Sequence, residues 1–126
     1  MPMLKTYLAV MLGGAVGTGL RMTLAAWCAA KYGEAFPIGT LLVNVLGSLA
    51  IGLCAGLLDP EGLARQVVMV GVLGGFTTFS AFSLATLHLL SAGEWVRAGA
   101  NIVLSVGLCL LAVWLGHIAA TAFQAR

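Results

Sequence analysis

Inside the apolar stretch GTLLVNVLGS, Thr40, Asn44 and Ser48 recur at i, i+4 and i+8, the spacing that stacks side chains on one face of a helix. The carboxamide of Asn44 carries two donors and two acceptors. In the middle of an apolar segment it needs either a partner or a solvated cavity, and a pore-lining role and a structural one both meet that need. For Thr40 and Ser48 by themselves the simpler reading is hydrogen bonding between helices, at about 0.6 kcal/mol on average in membranes. A second polar set lies in GVLGGFTTFSAFS, residues 71–83. Gly74 and Gly75 followed by Thr77 and Thr78 predict an interruption of the helix that frees backbone carbonyls. Irregular backbone at membrane depth survives only where it is buried in protein or lines a cavity, and freed carbonyls suit a cation. If the helix resumes, Phe79 and Phe82 share a face and Ser80 and Ser83 share the adjacent one. By spacing alone the two rings read as packing.

The elements that must hold these groups are membrane helices. Of 126 residues, 61% are hydrophobic and only 8% charged, whereas a soluble domain carries about 25% charged residues. A spanning helix takes about 20 mainly apolar residues, and four such segments are predicted at 4–28, 38–58, 63–90 and 96–123. They form a single four-helix transmembrane domain, an all-α integral membrane protein whose third helix is broken near mid-membrane. The connections KYGEAFP, DPEG and SAGEW are short and polar. Tyr7, Trp27, Tyr32 and Trp95 fall near segment ends, as interfacial aromatics do, while Trp114 lies deeper and reads as packing. Lys5 ahead of an apolar stretch imitates a signal peptide, but three further hydrophobic segments follow and no small-residue cleavage site is evident. The first segment therefore reads as a retained helix.

Four spans put both termini on one side. The six basic residues then divide evenly, Lys5, Arg65 and Arg126 against Arg21, Lys31 and Arg97, so the positive-inside rule prefers neither orientation. Insertion in both directions with head-to-tail pairing explains the tie. Small-xxx-small spacings at Gly13 and Gly17, Gly52 and Gly56, and Gly71 and Gly75 let backbones approach closely and predict a homo-oligomer, most simply a dimer.

Charge and reactive side chains narrow the function. No acidic residue lies within a span, since Glu34, Asp59, Glu61 and Glu94 all belong to connections. Proton-coupled carriers depend on embedded carboxylates, so a site of amides, hydroxyls and one arginine suits an anion. Arg21, the one deep cation, reads from spacing as snorkelling to the interface, the other reading being an anion entry. His88 and His117 are far apart, and Cys28, Cys54 and Cys109 form no metal-ligand spacing. A formal charge of +2 is too small to imply a nucleic-acid partner, and no nucleophile and base occur together as an enzyme would need.

The motifs GGAVGTGLR, GTLLVNVLGS and GVLGGFTTFSAFS, with four spans across essentially the whole chain, resemble the Fluc (CrcB) family of bacterial fluoride channels. The resemblance implies a passive fluoride exporter of the bacterial inner (plasma) membrane, built as an antiparallel dual-topology homodimer with two pathways. It places Phe79 and Phe82 on those pathways with Asn44, Thr40 and the hydroxyls of Ser80, Ser83 and Ser105, and it matches Arg21 to the arginine of the first motif. It also implies a structural sodium ion at the dimer interface, held by the carbonyls of Gly74 and Thr77. The family commonly reads TTFSTFS where this chain has Ala81, so one hydroxyl is missing. Two alternatives are a small four-helix proton-coupled multidrug antiporter, disfavoured for want of an embedded carboxylate, and a non-transporting assembly subunit, which gives Asn44 and the Phe/Ser pattern no purpose.

Overall fold

The computed structural model describes residues 2–126, and they are almost entirely helical. Helix α1 runs Pro2–Tyr32 and α2 runs Ile38–Leu57. The third span, Leu63–Ser91, is assembled from α3 (Leu63–Arg65), a π-helical segment (Gln66–Leu73), α4 (Gly74–Phe76) and α5 (Phe79–Ser91). Helix α6 runs Trp95–Gln124. All four spans are long and apolar enough to cross a bilayer. The first extends two residues before and four beyond the 4–28 expected, and at its far end the stop signal is Gly33 rather than the apolar limit. Gly33 takes φ 78° and its N–H closes on the Ala29 carbonyl at 2.9 Å.

Helix α5 ends by the same device in fuller form. The N–H of Glu94 reaches the Leu89 carbonyl at 2.8 Å and that of Gly93 reaches Leu90 at 3.0 Å, with Gly93 at φ 76°. This pair of bonds is a Schellman motif, which only a residue tolerant of the left-handed region closes without strain. Arg65 ties the α2–α3 connection by donating from Nη1 to the carbonyls of Ala55 and Leu58 at 3.2 and 3.3 Å. A cation there also complements the negative end of α2.

Two close crossings organise the bundle. Helix α1 packs along the π segment and α4, and α2 packs along α6. At the first crossing a methyl group on Gly17 would meet the backbone of Val72, with the Val72 carbonyl carbon 2.8 Å away, and one on Gly71 would meet the Val10 carbonyl oxygen at 2.7 Å. At the second, Gly52 faces the backbone of Val113 and Gly116 faces that of Leu49 and Leu53. The glycine spacings that predicted a self-association face are therefore occupied inside one chain. They let helices of the same protomer touch where lipid supplies no hydrophobic drive, and they do not by themselves argue for a dimer. Trp114 also departs from expectation, standing 59% exposed on the outer face of α6.

Candidate functional site

The third span breaks at Thr77 and Thr78, the downstream part of the Gly74–Thr78 stretch expected to be interrupted. Gly74 remains helical at φ −64° and ψ −37°, whereas Thr77 (φ −86°, ψ 155°) and Thr78 (φ −153°, ψ 114°) are extended. The cause lies on α2. Asn44 Oδ1 accepts from the Thr78 N–H at 2.7 Å, and Asn44 Nδ2 donates to the Thr78 carbonyl at 3.0 Å. In an unbroken helix that N–H would be given to the Gly74 carbonyl. Asn44 takes it instead, and its Nδ2 adds a second bond to the carbonyl of the same residue. Gly75 serves packing, since a side chain there would strike the backbone of Gly14.

Each side of the break is finished differently. On the upstream side Thr77 folds back, its N–H and its hydroxyl both donating to the Leu73 carbonyl at 3.0 Å. Arg21 Nε donates to the Gly75 carbonyl at 3.1 Å. Arg21 thus turns inward from α1 onto a helix C-terminus, and the snorkelling expected from spacing is corrected. A cation is favoured at that end of a helix because the carbonyl dipoles sum there. Among the described residues the Thr77 carbonyl accepts no backbone hydrogen bond. On the downstream side Thr78 caps α5, its hydroxyl accepting from the Ala81 N–H at 3.1 Å and lying 3.2 Å from the Ser80 hydroxyl. The first-turn N–H groups of a helix have no helical acceptor, so the start of α5 presents a positive dipole end. The break therefore sets an oxygen-rich, cation-favouring end beside a donor-rich, anion-favouring one.

Beside the break is an open cleft of about 410 Å³ lined by Asn44, Gly47, Ser48, Ile51, Thr77, Thr78, Phe79, Phe82, Ser105, Val106, Cys109 and Leu110. Its walls come from α2, the break, α5 and α6. Five expected residues, Asn44, Thr77, Phe79, Phe82 and Ser105, are brought together here. The rings of Phe79 and Phe82 lie 5.3 Å apart between centroids and are tilted by 46°. Phe82 is 9% exposed, while Phe79 is 77% exposed and stands at the open edge.

The other expected residues lie elsewhere. Thr40 lines a separate hollow between the α1–α2 connection and the end of α5, with Glu34, Phe36 and His88 among its neighbours. Ser80 and Ser83 are exposed, and the Ser83 hydroxyl returns to the Phe79 carbonyl at 2.9 Å. Gly74, also exposed, lies upstream of the break and does not line the cleft. All four acidic residues stay outside the spans, as expected: Glu34, Asp59 and Glu61 lie in connections and Glu94 precedes α6.

Sequence reasoning missed two participants. Asn101 on α6, 1% exposed, donates from Nδ2 to Thr86 Oγ1 at 3.0 Å, and its Oδ1 accepts from Ser105 Oγ at 3.3 Å. The signal was available, because Asn101 and Ser105 stand at i, i+4 in an apolar helix, the pattern that singled out Asn44 and Ser48.

Four apolar spans, a polar break in the third and beside it an uncharged, largely apolar cleft set with an amide and hydroxyls define a multi-pass membrane protein. Residues 8–117 match the family model described as CrcB-like protein, Camphor Resistance (CrcB). The chain is 57% identical over 123 residues to the fluoride-specific ion channel FluC of Opitutus terrae, covering 93% of each. It is 51% identical over 124 residues to the protein of that name from Methylocella silvestris, covering 94% of this chain and 95% of the other. A third, from Rhodospirillum rubrum, is 50% identical over 121 residues, 91% of this chain and 94% of its relative. The chain belongs to the CrcB, or Fluc, family, whose members are named as ion channels and not as enzymes.

Proposed function

We propose that the protein is a fluoride-selective channel that lets fluoride leave the cytoplasm passively across the bacterial inner membrane. The observation that carries this reading is the cleft where the donor end of α5 meets Asn44, Phe79, Phe82 and Ser105 with no carboxylate nearby. The name carried by relatives about half identical to this chain supports it. A small anion in a low-dielectric site costs tens of kcal/mol by Born estimate if uncompensated, and hydrogen bonds to a charged group return about 1.5–3 kcal/mol each. Several donors must act in succession, and phenyl ring edges, which are positive, add attraction without a trap.

The working unit is an antiparallel homodimer with two pathways. The even division of basic residues supports dual insertion. Phe79 at the open edge and the outward Ser80 and Ser83 fit a cleft completed by a second copy. We assign Thr40, which lines a separate hollow near the α1–α2 connection, to one mouth of the path. A sodium ion at the dimer centre fits the carbonyls of Gly74 and Thr77. The helical donor for the first is diverted to Asn44 and the second accepts no backbone bond among the described residues, and uncharged oxygens suit a hard cation. When bound, the ion supplies a fixed positive charge and ties two subunits. Arg21 holds the neighbouring Gly75 carbonyl and steadies this end of the break. Proton-coupled antiport is the disfavoured alternative, as no span carries a carboxylate.

Efflux from proteoliposomes tests the proposal. Rapid loss of fluoride with chloride retained, in the absence of a proton gradient, is the expected result. Flux that requires a proton gradient overturns it.

A further inference from the structure

The buried chain Ser105–Asn101–Thr86 joins α6 to α5 and has a direction. Thr86 has one hydroxyl hydrogen, and it is committed to the Phe82 carbonyl at 2.8 Å. Thr86 Oγ1 is therefore an acceptor toward α6, which draws Asn101 Nδ2 to it at 3.0 Å and turns Asn101 Oδ1 toward Ser105. The Ser105 hydroxyl donates to that oxygen at 3.3 Å. A serine hydroxyl has one hydrogen and two lone pairs, so at rest Ser105 presents lone pairs to the cleft it lines. That polarity repels an anion. Neither Asn101 nor Thr86 lines the cleft, and at 1% and 9% exposed they are shielded from water, which reaches the chain only at Ser105.

We infer that Asn101 is a positioning residue that sets how tightly the cleft holds its anion, by competing for the hydrogen of Ser105. The inference rests on the channel reading above. An arriving anion receives the Ser105 hydrogen only as the bond to Asn101 Oδ1 opens, and that bond reforms as the anion departs. Thr86 fixes the sense of the competition by holding the carboxamide in one orientation. Permeation requires binding weak enough to release the ion, and this arrangement weakens binding without removing the donor.

The experiment is fluoride flux in proteoliposomes as a function of fluoride concentration, read as half-saturating concentration and maximal flux separately. In Asn101→Leu the Ser105 hydrogen loses its competitor, and half-saturation falls about five-fold, the equivalent of one ordinary hydrogen bond, with maximal flux reduced. Thr86→Val, close in shape and away from the cleft, frees the carboxamide to turn Nδ2 toward Ser105 and shifts half-saturation in the same direction. Adding Ser105→Ala abolishes both shifts, as coupled residues require, whereas a purely structural role for Asn101 leaves them intact. An unchanged half-saturation in Thr86→Val, or a shift that persists without the Ser105 hydroxyl, overturns the inference while wild-type flux stands. Absence of wild-type fluoride flux overturns the channel reading and this inference with it.

Discussion

Asn44 and Thr78 are joined by two hydrogen bonds, the Thr78 N–H donating to Oδ1 at 2.7 Å and Nδ2 donating to the Thr78 carbonyl at 3.0 Å. One carboxamide on α2 thereby bonds both backbone polar groups of a residue at the break, and it is the acceptor that the Thr78 N–H lacks in the helix. At membrane depth such groups otherwise cost several kcal/mol each, so the break and Asn44 exist together or not at all.

Asn44→Ala strands the Thr78 N–H and removes one of the two donors to the Thr78 carbonyl, which as the N-cap still accepts the first bond of α5. Leaving a buried group unsatisfied costs about 1–3 kcal/mol, so the detergent-solubilised protein loses thermal stability by about that amount, and its fluoride efflux falls as the break loses its support. Thermal unfolding and efflux measured on one preparation check the two effects together. Asn44→Leu, similar in volume, gives the same outcome if hydrogen bonding rather than bulk is responsible.

That pairing also marks what sequence reading reaches. The four spans are legible because hydropathy and short polar connections determine them, and the break is legible because adjacent glycines and threonines stand in an apolar run. Its exact place is not. Gly74 and Gly75 have the weaker helix propensity, yet they stay helical because Gly75 must fit against Gly14 and because Asn44, distant in sequence, takes the Thr78 N–H. Arg21 misleads for the same reason, since its acceptor is the Gly75 carbonyl 54 residues away. The π-helical winding of Gln66–Leu73 leaves no mark in residue type.

Phe79→Ile and Phe82→Ile separate ring electrostatics from packing. Both replacements keep an apolar side chain and remove the polarised ring edge. Fluoride efflux is suppressed in each while assembly persists. Phe79→Ile leaves protomer stability nearly unchanged because that ring is 77% exposed, whereas Phe82→Ile, at a position 9% exposed, costs about 1 kcal/mol as an imperfect core swap. Efflux and thermal unfolding of the two variants side by side distinguish these contributions, and unchanged flux in both returns the rings to packing.

Replacing sodium with a large organic cation weakens the assembly. A ligand bound only by the folded form stabilises it by about 2.7 kcal/mol at one hundred times its dissociation constant. The unfolding temperature therefore rises with sodium concentration and fails to rise with N-methylglucamine at equal ionic strength. Long equilibration is built into the measurement, because an ion enclosed between subunits exchanges slowly. An unfolding temperature indifferent to sodium removes the role of the Gly74 and Thr77 carbonyls as ligands.

Arg21→Gln tests the helix-end contact. The variant keeps a side-chain N–H able to reach the Gly75 carbonyl but loses the charge at the end of α4, an interaction of about 0.3–1 kcal/mol where exposed and up to about 2 where partly buried. Arg21 is partly buried, so stability falls by about 1 kcal/mol, and Arg21→Leu, which loses the hydrogen bond as well, falls further. Equal losses in both would assign the effect to charge alone, and thermal unfolding orders the three proteins.

Two glycines of one helix, two positions apart, behave oppositely on gaining a methyl group. At Gly17 that methyl lies 2.8 Å from the Val72 carbonyl carbon and 2.9 Å from the Phe76 nitrogen. These are backbone atoms with no rotamer to yield, so α1 must separate from the third span along the crossing that also carries Arg21 to Gly75. At Gly19 nothing lies within 4 Å, and alanine there gains up to about 1 kcal/mol of helix propensity. Gly17→Ala therefore lowers the unfolding temperature and the fluoride flux together, by overpacking that costs about 1–3 kcal/mol, while Gly19→Ala preserves or raises stability. Loss of assembly in Gly19→Ala with the isolated protomer still folded would place that face of α1 against the second subunit, and size-exclusion chromatography of the two variants reads the difference directly.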